Sequence, residues 1–178
     1  MAVSGEPLLV TERLELWVPT SADIWPMHDI VADPATHRFL GPSRLRSDHH
    51  QRFSRNAGSW LLYGYGNFMV RERGGGLIGT AGVFRSLRGL GADFDDFPEA
   101  GWILRADRVG QGLAHEAMTA GLAWFAREFG SQRIVCMTAP GNAPSIGLAR
   151  RLGFVPMREA VLPDGEPVRL FERVPEAG

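Results

Sequence analysis

The segment Val109-Gly110-Gln111-Gly112-Leu113-Ala114 decides how the rest of the chain is interpreted. It follows an apolar stretch over Glu99–Leu104 that predicts a strand, and it precedes a long helical pattern that ends near Gly130. Glycines let the backbone approach a ligand closely, and the N–H groups and positive dipole at a helix start stabilise an anion. The segment therefore predicts a site for a phosphate or pyrophosphate group. A Gly-x-Gly is also a common structural turn, so the surrounding sequence has to decide between the two interpretations.

Two familiar phosphate-binding motifs do not fit this segment. A Rossmann fingerprint needs a third glycine where His115 stands, and an acidic residue about 20 positions further on at the end of the next strand. The strand predicted over residues 133–137 ends without an acidic residue. A Walker loop ends in Gly-Lys-Ser/Thr, which is also absent here. NAD(P) binding is therefore disfavoured as a function.

The other apolar stretches alternate between strand and helix patterns. The first half of the chain predicts a strand or strand pair within residues 8–18, a helix that Ser21 caps and Asp33-Pro34 stops, a second helix from near Ser47, and a hairpin of strands 67–71 and 77–84. The second half predicts a loop over 85–98, the strand Glu99–Leu104, the long helix and a strand over 133–137. A helix from about Ala143 to Leu152 and a terminal hairpin across 163–165 complete the prediction. This alternation predicts a single α/β domain over residues 1–178, with a core at about 8–172.

Composition narrows the classes of function. The chain has 19 Lys and Arg against 20 Asp and Glu, so its net charge is -1 and it lacks the general cationic field that attracts nucleic acid. No segment reaches the roughly 18 apolar residues of a membrane span, and the N-terminus carries no signal-peptide pattern. We therefore expect a cytoplasmic protein with neither a nucleic-acid nor a membrane partner.

Cysteine and histidine usage argues against a disulfide or a metal centre. Cys136 is the only cysteine, and its apolar neighbours predict a buried strand thiol. The five histidines show no metal-ligand spacing with cysteine or acidic residues, so we expect no metal.

Residues 109–114 resemble the pyrophosphate loop of the GNAT (GCN5-related) N-acetyltransferase superfamily, whose pattern is Arg/Gln-x-x-Gly-x-Gly/Ala. Gly112 and Ala114 match it, and Val109 departs at the first position. Further segments resemble the RimJ/RimL-like branch of the superfamily in the same order along the chain: Thr11-Glu12-Arg13-Leu14, Glu99-Ala100-Gly101-Trp102-Ile103-Leu104, His115-Glu116-Ala117, and Asn142-Ala143-Pro144-Ser145 with Leu152-Gly153-Phe154. Together these segments cover nearly the whole chain, from about residue 8 to residue 172.

The resemblance implies a fold and a cosubstrate. The implied fold is the GNAT fold, with a mixed central sheet of about six to seven strands, splayed between strands 4 and 5, and about four flanking helices. The implied cosubstrate is acetyl-CoA, which is held in three parts. The expected contacts are Ile103 and Leu104 for pantetheine; Val109, Gly110, Gln111, Gly112, Leu113, Ala114 and His115 for the pyrophosphate; and Asn142 and Ser145 along the cofactor's path.

Three of these residues also have a plain structural interpretation. Asn142 and Ser145 are of the residue types that cap helices, so both could serve only as caps. His115 could be a solvated residue in the first turn of the helix.

The resemblance also implies a reaction, the transfer of an acetyl group to a primary amine on a protein N-terminus or a small molecule. Glu99 is the expected general base, acting through water, although a glutamate can also simply open a strand. The backbone amide of Leu104 is the expected donor that polarises the thioester carbonyl. Many relatives have a tyrosine general acid where this chain has Ala149, so solvent would protonate the leaving thiolate. Asp95 and Asp96 could flank the acceptor entrance or belong to a plain polar loop.

The lack of that tyrosine keeps a rival function open. The rival is a non-catalytic acyl-CoA-binding or regulatory module. The sequence does not identify the acceptor amine, and it leaves both a monomer and a homodimer open.

Overall fold

The computed structural model describes residues 5–40 and 45–175. Within these residues the strands are β1 Leu9–Val10, β2 Leu14–Trp17, β3 Asn67–Glu72, β4 Leu77–Phe84, β5 Glu99–Leu104, β6 Ile134–Thr138, β7 Val155–Val161 and β8 Pro167–Arg173. The helices of the same residues are α1 Ile24–Ala32, α2 Pro34–His37, α3 Arg46–Tyr63, α4 Ala92–Asp95, α5 Leu113–Phe129 and α6 Ala143–Arg151, with 3-10 turns at Ser21–Asp23 and Ala106–Arg108.

All eight strands form one sheet in the order β1-β2-β3-β4-β5-β6-β8-β7. Neighbouring strands are antiparallel except β5 and β6, which run parallel. This is the predicted mixed sheet, and it has one strand more than the upper expected count because the stretch 8–18 forms both β1 and β2. The expected splay between strands 4 and 5 therefore falls between β5 and β6, which are the same two stretches of sequence.

Two local predictions need correction. Ser21 is not the helix cap: Thr20 and Asp23 form a capping box, in which the Asp23 carboxylate accepts from both the Thr20 amide and its hydroxyl at 2.9 Å. The stretch 85–98, predicted as a loop, contains the short helix α4. Asp95 explains the order of this stretch, because its buried carboxylate accepts hydrogen bonds from the backbone amides of Arg88 and Leu90, both at 2.8 Å.

Helices cover both faces of the sheet. On one face, the buried stripe of α5 packs on the sheet as predicted, with Leu113, Ala117, Gly121, Trp124 and Phe125 all buried. On the other face, Met27 of α1 and Phe53 of α3 pack against Met69 of β3, and α4 covers the β6–β8 end. The sheet is therefore covered along most of its length, and the region between β5 and β6 is one place where a ligand could enter.

The structure also tests the predictions about the single cysteine and about membrane-spanning helices. Cys136 is fully buried, as expected for a strand thiol, and burial raises the pKa of that thiol far above its ordinary value. Across the described parts of the chain, no helix combines the length and the apolar character needed to cross a membrane.

Candidate active site

A cleft opens where β5 and β6 separate. The two strands pair at a single position, Glu99 with Val135, in the part of the chain that the structure describes. The Val135 amide donates to the Pro98 carbonyl at 2.9 Å, and beyond this point the strands diverge. The resulting cleft has a volume of about 490 Å³. Its floor and walls include Ala100, Gly101, Trp102, Ile103, Met137, Thr138, Asn142 and Ser145.

The backbone of β5 presents hydrogen-bonding groups to this cleft. Arg105 donates its amide to the Ile78 carbonyl of β4 at 2.8 Å. Because the groups of successive residues alternate between the two sides of an antiparallel strand, the backbone groups of Ile103 also point toward β4, and those of Trp102 and Leu104 point away from β4, toward the side of β6. Trp102 lines the cleft, and Leu104 is not among its lining residues. Ile103 therefore contributes its side chain to the cleft, whereas the sequence prediction grouped it with Leu104.

The glycine segment ends in a row of unused amides. Val109 donates its own amide to Ala106 at 3.2 Å, which closes the 3-10 turn and removes this amide from the predicted set. Gly110 and Gly112 then adopt φ angles of 83° and 77°, and α5 begins directly afterwards. Among the described residues, the amides of residues 110–115 have no hydrogen-bond partner. They lie at the positive end of the α5 dipole, where an anion is stabilised.

A clamp that the sequence prediction missed holds this segment. Arg13 donates through Nε to Glu116 Oε2 at 2.7 Å and through Nη1 to the Gln111 carbonyl at 2.9 Å. Thr11 donates its hydroxyl to Glu116 Oε1 at 2.6 Å, and the Arg13 amide donates to the same oxygen at 2.9 Å. Desolvation alone would raise the pKa of Glu116, but these hydrogen bonds from Thr11 and Arg13 lower it below its ordinary value. The Thr-Glu-Arg-Leu and His-Glu-Ala motifs are thus in contact, and they fix the start of α5.

Glu99 lies buried at the apex of the cleft, where β5 and β6 meet, and is 3% exposed. Its carboxylate forms a two-point ion pair with Arg88, with Nε to Oε2 and Nη2 to Oε1 both at 2.8 Å, and it also accepts a short hydrogen bond from the Ser86 hydroxyl. Burial alone would lower the pKa of Arg88, but the charge and hydrogen bonds of Glu99 raise it. Within the described residues, Glu99 Oε1 accepts only from Arg88, so it can accept one further donor.

Asn142 and Ser145 were predicted either to cap a helix or to lie along the cofactor's path, and the structure places them both at the start of α6 and beside the cleft. Asn142 caps α6, because its Oδ1 accepts from the Ser145 amide at 3.1 Å. Ser145 accepts from Trp102 Nε1 at 3.1 Å through its hydroxyl oxygen, which bridges α6 to β5 across the cleft. Both residues also line the cleft.

Neither tyrosine of the chain lines the cleft. Tyr65 packs edge-on against Phe125 and Phe129 with ring centroids 4.9 and 5.0 Å apart, and burial raises the pKa of its hydroxyl. Ala149, where a tyrosine is common among the proteins that this sequence resembles, is fully buried. Asp95 holds its own loop and Asp96 is exposed, and neither lines the cleft.

Comparison with known proteins places the chain among acetyltransferases. The family model described as "Acetyltransferase (GNAT) domain" matches residues 13–155. A GnaT-family acetyltransferase structure from Bordetella pertussis is 36% identical with a TM-score of 0.81, covering 93% of this chain and 98% of its own.

Two more distant structures share the fold. An acetyltransferase from Agrobacterium tumefaciens is 27% identical with a TM-score of 0.80, covering 95% of each chain. RimL, a ribosomal L7/L12 alpha-N-protein acetyltransferase solved in complex with coenzyme A, is 18% identical with a TM-score of 0.74, covering 97% of this chain and 100% of its own.

Proposed function

This chain belongs to the GNAT family of acetyltransferases, and from that premise we propose that it transfers an acetyl group from acetyl-CoA directly to a primary amine while both substrates are bound. The observation that carries the proposal is the run of partnerless amides over residues 110–115 at the start of α5, beside a cleft opened by the separation of β5 and β6. Coenzyme A combines a diphosphate with a long amide-containing arm. The row of amides matches the diphosphate, and the cleft matches the arm.

The cosubstrate is proposed to bind along the whole cleft. The amides of residues 110–115, including that of His115, hold the diphosphate at the positive end of α5. The backbone groups of Trp102 and Leu104 pair with the pantetheine arm in the manner of an added strand. Asn142 and Ser145 border the arm from α6. RimL, which has the same fold, was solved with coenzyme A bound.

The chemistry requires a neutral amine, a polarised carbonyl and a protonated leaving thiolate. An α-amine with a pKa near ~7.8 is roughly one-tenth neutral at pH 7, whereas a lysine near ~10.4 is neutral about once in a few thousand molecules. We therefore favour an α-amine acceptor. Such an acceptor is consistent with RimL, which is an alpha-N-protein acetyltransferase.

Two groups of the chain are assigned to the acetyl-transfer step. The Leu104 amide, which points away from β4 on the side of β6, polarises the thioester carbonyl as negative charge develops on it. Glu99 accepts the amine proton through a water at Oε1, while Arg88 and Ser86 hold its carboxylate at the apex of the cleft. Solvent protonates the leaving thiolate. The Ser145 hydroxyl can donate a hydrogen bond to the leaving sulfur, because Trp102 occupies only its oxygen.

Two observations favour a second function, that of a non-catalytic acyl-CoA-binding module. Glu99 is held in a two-point ion pair with Arg88, and the described lining of the cleft contains no tyrosine, because Ala149 stands where many relatives have one. A buried ion pair of this kind can be purely structural.

Binding and turnover separate these functions. Calorimetry with acetyl-CoA, CoA and NADH should give binding for the first two and none for NADH. Thiol release from acetyl-CoA should rise above hydrolysis with amines from a panel of peptides and small molecules. If CoA binds and no amine accelerates thiol release, the chain is a binding module.

Glu99→Gln tests the assigned base. We expect kcat to fall by about 10²-fold or more, with the Kd of CoA unchanged. Arg88→Gln breaks the same ion pair while leaving the carboxylate, so equal losses in both variants would assign Glu99 a structural role. Glu128→Gln, which breaks an exposed pair with Arg127 at the far end of α5, is the control for the substitution itself.

A further inference from the structure

A second cavity of about 100 Å³ adjoins the cleft on the face of the sheet that carries α1 and α3. Thr80, Ile103 and Asn67 line both spaces, so the cavity opens beside the strand that is proposed to hold the thioester. Most of its wall is apolar and comes from Met27, Val31, Phe53, Ala57, Met69 and Ile103.

Two residues that line this cavity each carry a buried polar atom that lacks a partner among the described residues. The two atoms are Asn67 Oδ1, on a residue that is 8% exposed, and His37 Nε2. His37 Nδ1 lies 3.0 Å from the Val31 carbonyl, so Nδ1 carries a proton, and in the tautomer with its single proton there Nε2 is an acceptor. Both atoms accept hydrogen bonds, and buried acceptors left unpaired are costly. An occupant that relieves both must therefore supply N–H or O–H groups.

The backbone of Asn67 is anchored at the start of β3, because its carbonyl accepts from Trp60 Nε1 at 3.0 Å. The strand register aligns Asn67 with Gly82 of β4, and Gly82 with Gly101 of β5. Gly82 leaves the position beside Asn67 without a side chain, whereas the Phe84 ring lies over Gly101. Thr80 of β4 lies one strand away from Asn67 and lines both spaces. An acceptor whose amine lies beside Thr80 would therefore reach Asn67 with a second donor a few bonds from that amine.

The size and charge of the cavity restrict what else the acceptor can carry. An apolar cavity of about 150 Å³ accommodates benzene, so this smaller one suits a compact aliphatic group better than an aromatic ring. Its described lining contains no aspartate or glutamate that would pair with a cationic tail.

We propose, on the basis of the acetyltransferase function above, that this cavity selects the acceptor. The acceptor is an α-amine that carries a compact aliphatic side chain and, a few bonds from the amine, an N–H that donates to Asn67 Oδ1. Leucine-, valine- or methionine-type α-amines have this chemistry, whereas lysine ε-amines and aromatic amines do not.

The test compares kcat/KM for amino-acid amides at saturating acetyl-CoA. We expect leucinamide and valinamide to exceed phenylalaninamide and lysinamide by at least about 10-fold, as is typical for a hydrophobic pocket. The proposal is wrong if phenylalaninamide or lysinamide is preferred, or if all four react equally. Thiol release and CoA calorimetry on the same protein test the acetyltransferase function separately. An enzyme that is active but does not distinguish the four amides would overturn only this inference.

Two variants test the residues. Asn67→Leu removes the acceptor atom at similar volume, and it should reduce the ratio of leucinamide to isoamylamine turnover by about 3- to 10-fold, the value of one hydrogen bond. Taking this ratio in wild type and variant cancels the different intrinsic reactivities of the two amines. An unchanged ratio would exclude Asn67 from recognition.

Ala57→Leu fills the cavity without touching the cleft's polar groups. It should lower kcat/KM for leucinamide at least about 10-fold and leave glycinamide within about twofold. Ala123→Leu makes the same change at an exposed position of α5 and should alter neither value. If Ala57→Leu affects both amides equally, or neither, the aliphatic group does not bind in this cavity.

Discussion

Replacing Arg13 with alanine tests whether the clamp at the start of α5 prepares the diphosphate site. The substitution removes the ion pair to Glu116 and the hydrogen bond to the Gln111 carbonyl, and it leaves the amides of residues 110–115 chemically intact. Arg13 also carries a positive charge beside Gly112, so a loss of cosubstrate affinity would combine lost positioning with lost attraction for the diphosphate.

The expected loss follows from the exposure of the pair. The Arg13 side chain is 47% exposed, so its ion pair is worth about 0.2–1 kcal/mol. The hydrogen bond to the Gln111 carbonyl adds about 1 kcal/mol. Together they amount to about 1–2 kcal/mol, which corresponds to an increase of about 5- to 30-fold in the Kd of CoA if all of this energy serves to order the segment.

Calorimetry with CoA measures this increase directly, and kcat at saturating acetyl-CoA should change by less than about twofold. Arg13→Lys should fall between wild type and alanine, because lysine keeps the charge and loses the two-point geometry. Arg127→Ala breaks an exposed ion pair at the other end of the same helix and serves as the control. If Arg13→Ala raises the Kd no more than Arg127→Ala does, the clamp does not prepare the site.

Three further predictions follow from the geometry. Gly79→Ala should lower the melting temperature and CoA binding together, because a Cβ there would lie 2.0 Å from the Ile103 carbonyl oxygen and force β4 away from β5; an unchanged melting curve would contradict this. Cys136 should not react with a thiol reagent in the native state and should react fully in denaturant, since it is buried with a raised pKa; rapid native labelling would refute its burial. The lowered pKa of Glu116 means that its contribution to stability is present above its unfolded pKa and is lost as pH falls through the folded value. The difference in unfolding free energy between wild type and Glu116→Gln should therefore stay constant between about pH 5 and 8 and shrink below about pH 4, and a difference that shrinks toward higher pH would contradict the assignment.

Sequence patterns predicted those parts of the fold that local physics determines. The helical spacing of Leu113, Ala117 and Phe125 predicted the buried face of α5, and the turn glycines predicted the hairpin of β3 and β4. The short helix α4 was missed, because the order of that stretch depends on one carboxylate that accepts from the Arg88 and Leu90 amides. A pattern of glycines and aspartates does not distinguish such a loop from an irregular one.

In the candidate site, too, local features could be predicted from the sequence and contacts between distant residues could not. The run of exposed amides at the start of α5 could be predicted because all of them come from neighbouring residues, although the 3-10 turn that uses the Val109 amide was not visible. The clamp joins Arg13 to a glutamate 103 residues away, and the sequence analysis quoted both motifs without predicting their contact. Asn67 was predicted only as a strand residue, because the cavity beside it forms from helices and strands that are distant in sequence.

Glu99 illustrates how the fold determines what a predicted catalytic residue can do. The position at which Glu99 pairs with Val135 is the last point of contact between β5 and β6, so this residue lies where the cleft begins. Arg88 and Ser86 anchor its carboxylate to the stretch that Asp95 orders, so the carboxylate cannot swing into the cleft. Removing one partner of a buried ion pair costs about 3–5 kcal/mol. The Glu99–Arg88 pair therefore keeps the carboxylate in a fixed position at the mouth of the cleft. If Glu99 is the proposed base, a carboxylate fixed in this way would reach the amine only through a bridging water, and other groups, such as Asn67, would have to position the acceptor.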